Sequence, residues 1–184
     1  MAKAILISIK PRYVRDILNG DKTIEIRKTI PKCDLPVDVY IYVTKDKKEK
    51  LFRNLGTKKY LLIHCSDANG FNGKVIGKFT LKKTEQIHSY LEPEQWYMTN
   101  DTSGADLMKK SCLTFKELDD YLLSGWGYAW VIDKVKPFES AKPLNNYLVP
   151  SHQVSGIGFK GEKKTFTVLK PLTKAPQSWC FIEV

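Results

Sequence analysis

The sequence predicts an α+β domain, a mixed and mostly antiparallel β-barrel with short helices set among its strands. Three observations predict it. Six or more short segments alternate apolar and polar residues with the period of a strand. Two segments switch to helical spacing and carry their own start and stop residues. The first and last segments both read as core strands, which favours one domain over residues 1–184.

Residues 4–10 read as the first strand, with Ile5, Ile7 and Ile9 on one face. Pro11 then opens a helix, because its missing N–H would have no partner in a first turn anyway. Val14, Ile17 and Leu18 give that helix an apolar stripe, and Gly20 stands where a left-handed cap is wanted. Residues 23–27 form a strand with Ile24 and Ile26 on one face and Thr23, Glu25 and Arg27 on the other. Further strands are expected at 38–43, 60–65 and 74–82, with a bulge or corner at Gly77. Residues 89–112 are polar and weakly periodic and read as a long irregular insertion. A second helix follows, announced by the capping box Thr114-Phe115-Lys116-Glu117, with Phe115, Leu118 and Leu122 facing the core and Gly125 and Gly127 ending it. Residues 128–135 read as a core strand. From 137 to 164 the chain reads as a second long irregular insertion, with a short strand at 165–169 and a last one at 179–184.

The net charge of +10, thirty Lys and Arg against twenty Asp and Glu, raises the concentration of anionic partners around the molecule. It suits a phosphate backbone, though solubility alone also explains it. At 184 residues a chain buries roughly 70% of its unfolded surface, so it needs no metal or disulfide to fold. Cys33, Cys65, Cys112 and Cys180 have no C-x-x-C spacing and read as reduced, mostly buried thiols. His64, His88 and His152 form no metal-binding pair, and His64 reads as a hydrogen-bonded structural residue in a strand. No metal or cofactor is expected, and Gly156-Ile157-Gly158 lacks the third glycine of a dinucleotide loop. No apolar run approaches the roughly 20 residues of a spanning helix, and residues 1–10 lack the pattern of a signal peptide. A cytoplasmic protein with no membrane partner is expected; the oligomeric state stays open.

The chemistry concentrates in Gly20-Asp21-Lys22-Thr23-Ile24-Glu25-Ile26-Arg27. A helix stops at Gly20, Lys22 stands at the corner, and Glu25 and Arg27 project from one strand face about 7 Å apart. An ammonium, a carboxylate and a guanidinium in one region suit the edge of a base and its phosphate. The alternative is a solvated face whose Glu and Arg pair with each other. Basic stretches at Lys45, Lys47, Lys48, Lys50, Arg53, Lys58 and Lys59, and at Lys160, Lys163 and Lys164, either track a nucleic-acid backbone or are ordinary surface. Among the aromatics, Trp126 and Tyr128 flank Gly127 at a turn and read as exposed rings for stacking a base, whereas Trp130 and Trp179 read as core.

Ser8-Ile9-Lys10-Pro11, a short helix and then the G-x-K-x-x-E-x-R run resemble the signature of the ASCH family, and residues 175–180 are similar to the closing strand of some bacterial and phage members. The resemblance implies a PUA-like barrel with a cleft that binds RNA or a nucleotide. It carries over Gly20, Lys22, Glu25 and Arg27, with Lys10 and Thr23 beside them. A hydrolytic branch of that family deacylates N4-acetylcytidine with a Lys, a Thr two residues before the Arg, and a distant Glu. Here Glu25 stands where that Thr belongs, Thr23 is displaced by about 7 Å, and Ser111 and Cys112 occupy the region of the distant Glu. A second catalytic route, Lys22 and Glu25 as acid and base in RNA phosphodiester cleavage, stays open, as does a protein-interaction role.

Overall fold

This computed structural model describes residues 3–64, 70–90, 96–123, 125–157 and 162–184. In chain order its elements are β1 (Lys3–Ile9), α1 (Pro11–Asn19), β2 (Ile24–Arg27), β3 (Val37–Val43), β4 (Glu49–Arg53), β5 (Tyr60–His64) and β6 (Val75–Tyr90). They continue with β7 (Trp96–Met98), α2 (Gly104–Ser111), α3 (Phe115–Leu122), β8 (Gly127–Lys142), a 3-10 turn at Leu144–Asn146, β9 (Leu148–Ile157), β10 (Lys163–Pro171) and β11 (Trp179–Glu183).

The main sheet runs β10-β9-β11-β1-β3-β6-β8-β2, with β7 added beside β6 and β4–β5 forming a separate hairpin. All pairs are antiparallel except β1 with β3. That α+β, mostly antiparallel architecture agrees with the expectation from the sequence. Among the described residues no ladder joins β10 to β2, so the sheet is curled rather than closed. The curl is shown by Trp130 on β8 and Trp179 on β11. They lie four places apart in sheet order, about 19 Å if the sheet were flat, yet their ring centroids are 5.7 Å apart. Both indole N–H groups donate to Thr29.

The first core fills this curl. Ile5, Ile7 and Ile9 meet Val39, Ile41, Phe79, Leu81 and Trp130, and α1 closes the side with Val14 and Ile17. The opposite face of β1 is buried too, Ala4 and Leu6 packing with Tyr42, Val75, Tyr147 and Ile182. A second core holds α2 and α3 on the sheet through Ile24, Ile26, Ile87, Leu107, Leu118 and Leu122. β2 is thus covered on both faces: its isoleucines meet the helices, and Glu25 and Arg27 turn inward.

Gly77 sits at a register shift between β6 and β8, as the sequence suggested. A Cβ there would come within 2.9 Å of the Lys136 carbonyl, so the close approach of two backbones requires glycine.

Several expectations are corrected. Residues 89–112 are not irregular throughout: β6 runs to Tyr90, and β7 and α2 follow. Residues 137–164 likewise carry the end of β8 and the β9–β10 ribbon. Most of that ribbon is exposed on both faces, so its sequence has no buried side to alternate against. The basic stretch 45–59 contains β4, whose Leu51 is fully buried. Helix α3 ends on Leu123, in the left-handed region at φ 54°, rather than on Gly125 or Gly127. Phe115 is exposed rather than core, its ring set against Tyr97. His64 is exposed, and Cys33, Cys112 and Cys180 are free and only half-buried. Cys65, Gly158, Lys160 and Gly161 lie outside the described residues.

Candidate functional site

The local geometry of the Gly20–Arg27 run follows from how α1 ends. Lys10 precedes the helix in an extended conformation, and Pro11 occupies its first position. Gly20 adopts φ +86°, and the N–H groups of Asp21 and Lys22 both donate to the Asp16 carbonyl. That wraps the chain tightly around the helix end and turns the Lys22 side chain inward. Thr23 donates to the Lys110 carbonyl and accepts from the Ile132 N–H, which fastens the start of β2 between α2 and β8.

Lys22, Glu25 and Arg27 converge. They are only 2%, 6% and 8% exposed. Lys22 Nζ stands 3.3 Å from Glu25 Oε2, and Arg27 Nη2 stands 2.9 Å from Glu25 Oε1. Lys22 also donates to the Ser111 carbonyl, and Arg27 to the Ser8 carbonyl at 2.8 Å and to Ser178 Oγ at 3.3 Å. Arg27 Nε has no hydrogen-bond partner among the described residues. A solvated strand face is therefore excluded. Two buried cations share one carboxylate, which leaves a positive charge in excess where water screens it poorly.

This triad forms the floor of a cleft of about 490 Å³. Lys10, Arg12 and Tyr13 make the α1 wall, and Leu113, Glu117, Asp120 and Tyr121 make the wall at α3. Ser8, Thr44 and Gln177 complete the rim. Arg12 Nη2 bridges the two walls by donating to Glu117 Oε1 at 2.7 Å. Burial works against the Arg12 charge, but the neighbouring Tyr13 and Glu117 outweigh it and hold the guanidinium pKa above its ordinary value. Burial pushes the phenols of Tyr13 and Tyr121 up. The Thr114 backbone N–H holds the Glu117 carboxyl below its ordinary value, with Arg12 adding to the effect.

Of the residues singled out from the sequence, Lys10, Lys22, Glu25 and Arg27 line the cleft, and Gly20 shapes its corner. Thr23 is exposed and does not line it. Trp126 is 72% exposed and Tyr128 is half-buried against the first core; neither ring is part of the lining. Sequence reading missed Arg12, Tyr13, Glu117, Tyr121 and Gln177. The one available signal was Glu117, whose place in a capping box accounted for it completely at the level of sequence. Among the described residues no group of His, Cys, Asp and Glu is placed to hold a metal ion, and no helix is long and apolar enough to cross a membrane.

No family model and no curated protein matches the chain. Solved structures do. The ASCH protein of Zymomonas mobilis is similar at 20% identity and a TM-score of 0.50, over 77% of this chain and 73% of that one. A Tyr-to-Phe mutant of the same protein matches at 18% identity and a TM-score of 0.48, over 78% of this chain and 77% of that one. The curled sheet, the helix capped ahead of β2 and the cleft above it are thus built on the ASCH fold.

Proposed function

We propose that this chain is an ASCH protein that binds RNA or a nucleotide in the cleft above Lys22, Glu25 and Arg27. The observation that carries the reading is the buried triad with its surplus positive charge and an Arg27 N–H that has no partner among the described residues. A guanidinium already fixed by Glu25, Ser8 and Ser178 meets an incoming phosphate or carbonyl oxygen with little further loss of freedom. Both Glu25 oxygens are engaged by Lys22 and Arg27, so Glu25 organises the cations rather than accepting from the ligand.

The test is fluorescence polarisation with labelled single-stranded RNA and competition by nucleoside monophosphates, at about 50 and about 200 mM salt. Binding should weaken as salt rises. Arg27→Lys keeps the charge but loses the two-toothed donor, and should weaken binding about tenfold or more while the protein still melts cooperatively. Wild-type protein that binds neither RNA nor nucleotide at the lower salt would refute the reading.

Phosphodiester hydrolysis is the second reading. It is favoured by the presence of Tyr13, Lys22 and Glu117, proton donors and an acceptor, in one cavity. RNA incubated with the folded protein and left intact would remove it. Deacylation of acetylated cytidine ranks behind both, because Thr23 stands outside the lining.

A further inference from the structure

The positive charge of this protein is unevenly placed. Residues 45–59 hold seven cations and two carboxylates, a net of five positive charges and half of the chain's +10. Lys45, Lys47, Lys48, Lys58 and Lys59 are exposed, and among the described residues none of them is in an ion pair. Elsewhere Lys78, Lys83 and Lys116 are matched by Asp38, Asp101 and Asp120, while other exposed lysines such as Lys32, Lys109 and Lys170 are unpaired among the described residues but stand apart rather than in one run. The Asp46 carboxylate accepts from the backbone N–H groups of Lys48 and Glu49, at 2.8 and 2.9 Å, and forms no ion pair with a lysine among the described residues.

These lysines are carried on a braced support. Leu51 is fully buried against the first core, and the Asn72 amide brackets β4 by bonding the Leu51 N–H and the Glu49 carbonyl. The Asn19 amide does the same for β5 through the N–H and carbonyl of Tyr60. The hairpin therefore lies along α1, the helix whose first turn contributes Arg12 and Tyr13 to the cleft. Its connection to the cleft is continuous. Thr44 lines the rim and donates to the Ile9 carbonyl at 2.9 Å, and the exposed Lys45 follows immediately. On the other side of the cleft stand the carboxylates Glu117 and Asp120.

We infer that the cleft takes one nucleotide of a longer single-stranded RNA, and that the flanking phosphates leave over Lys45, Lys47 and Lys48 onto the β4–β5 hairpin. This rests on the cleft reading above and narrows it: the ligand is a polynucleotide rather than a free nucleotide. The hairpin side offers lysines in no ion pair among the described residues, whereas on the α3 side Arg12 and Lys116 are already paired with Glu117 and Asp120 and leave no free positive charge for a second phosphate. Each phosphate contact releases counterions, so a track of three lysines steepens the salt dependence of a long ligand and leaves a short one nearly unchanged.

The experiment compares labelled RNA of about 4 and about 16 nucleotides on four proteins: wild type, Lys22→Met, a hairpin triple (Lys45→Glu, Lys47→Glu, Lys48→Glu) and a distant triple of equal charge change (Lys163→Glu, Lys170→Glu, Lys174→Glu). All six reversed lysines are exposed, and thermal melts check that each variant is folded. The hairpin triple should weaken the longer RNA at least tenfold, lower its log–log salt slope by about 2, and change the shorter one less than threefold. The distant triple should change both less than threefold. Equal losses from the two triples would overturn the track in favour of bulk charge. Wild-type affinity that does not rise with RNA length would overturn it in favour of a ligand contained in the cleft. Loss in the hairpin triple with none in Lys22→Met would remove the cleft from the path and with it the joint route, leaving the hairpin as a separate surface.

Discussion

Glu25 occupies the position on which the other two charges of the site depend. Each of its oxygens faces a different cation, Lys22 at 3.3 Å and Arg27 at 2.9 Å, and all three groups are largely withdrawn from water. Glu25→Gln is expected to leave two buried cations with no counter-ion and to cost about 3–5 kcal/mol, measured as a shift in urea unfolding. Lys22→Met, which removes the surplus charge and leaves the Glu25–Arg27 pair intact, should cost less in the same measurement. A larger loss from Lys22→Met would mean that the Ser111 carbonyl contact matters more than charge balance. At this scale the sequence was informative because a glycine stop, a corner lysine and a two-residue alternation fix directions locally. It was silent on Arg12 and Tyr13, which belong to the cleft only because α3 comes to stand opposite them, and nothing within the first turn of α1 records that neighbour.

Among the elements, α3 couples a helix start to the site. Its capping box joins Thr114 and Glu117, and the same Glu117 carboxylate receives Arg12 from α1. The folded Glu117 carboxyl lies below its ordinary 4.5. The stability it contributes is therefore complete above that value and is lost as pH falls through the lowered one. Acidifying from neutral to about pH 3 should cost the wild type up to about 1 kcal/mol more than Glu117→Gln, the scale of a partly exposed ion pair. Urea unfolding of both proteins at the two pH values checks this, and equal losses would exclude Glu117 as the group responsible. The start of α3 and the whole of β2 were legible because capping and alternation are local signals. The β9–β10 ribbon was not, since residues exposed on both faces are under no pressure to alternate. Phe115 illustrates the opposite error. It has the spacing of a core residue, but it lies at the first position of α3 and packs on Tyr97 at the surface.

For the molecule as a whole, the curl of the sheet assembles the cleft floor from residues far apart in the chain. Arg27 on β2 reaches Ser8 near the end of β1 and Ser178 just ahead of β11. A barrel-like α+β fold was legible from the count of short strands, whereas the strand order was not. Which strands become neighbours depends on contacts distant in sequence, such as Lys3 with Glu183 and Ile5 with Val39. A chain cut after residue 177 should lose its cooperative melt, and with it the binding proposed above, because β1 then has one neighbour instead of two and Arg27 loses an anchor. A cooperative melt retained in that truncated chain would show that the floor forms without β11. The same pairing has a consequence for the order of events during synthesis. During synthesis β1 keeps open the backbone edge that Lys3–Ile7 later share with β11, until the chain as far as Trp179 has followed. Until then the nascent protein carries an unpaired strand edge that can pair with a neighbouring chain, and the arrival of β11 seals it.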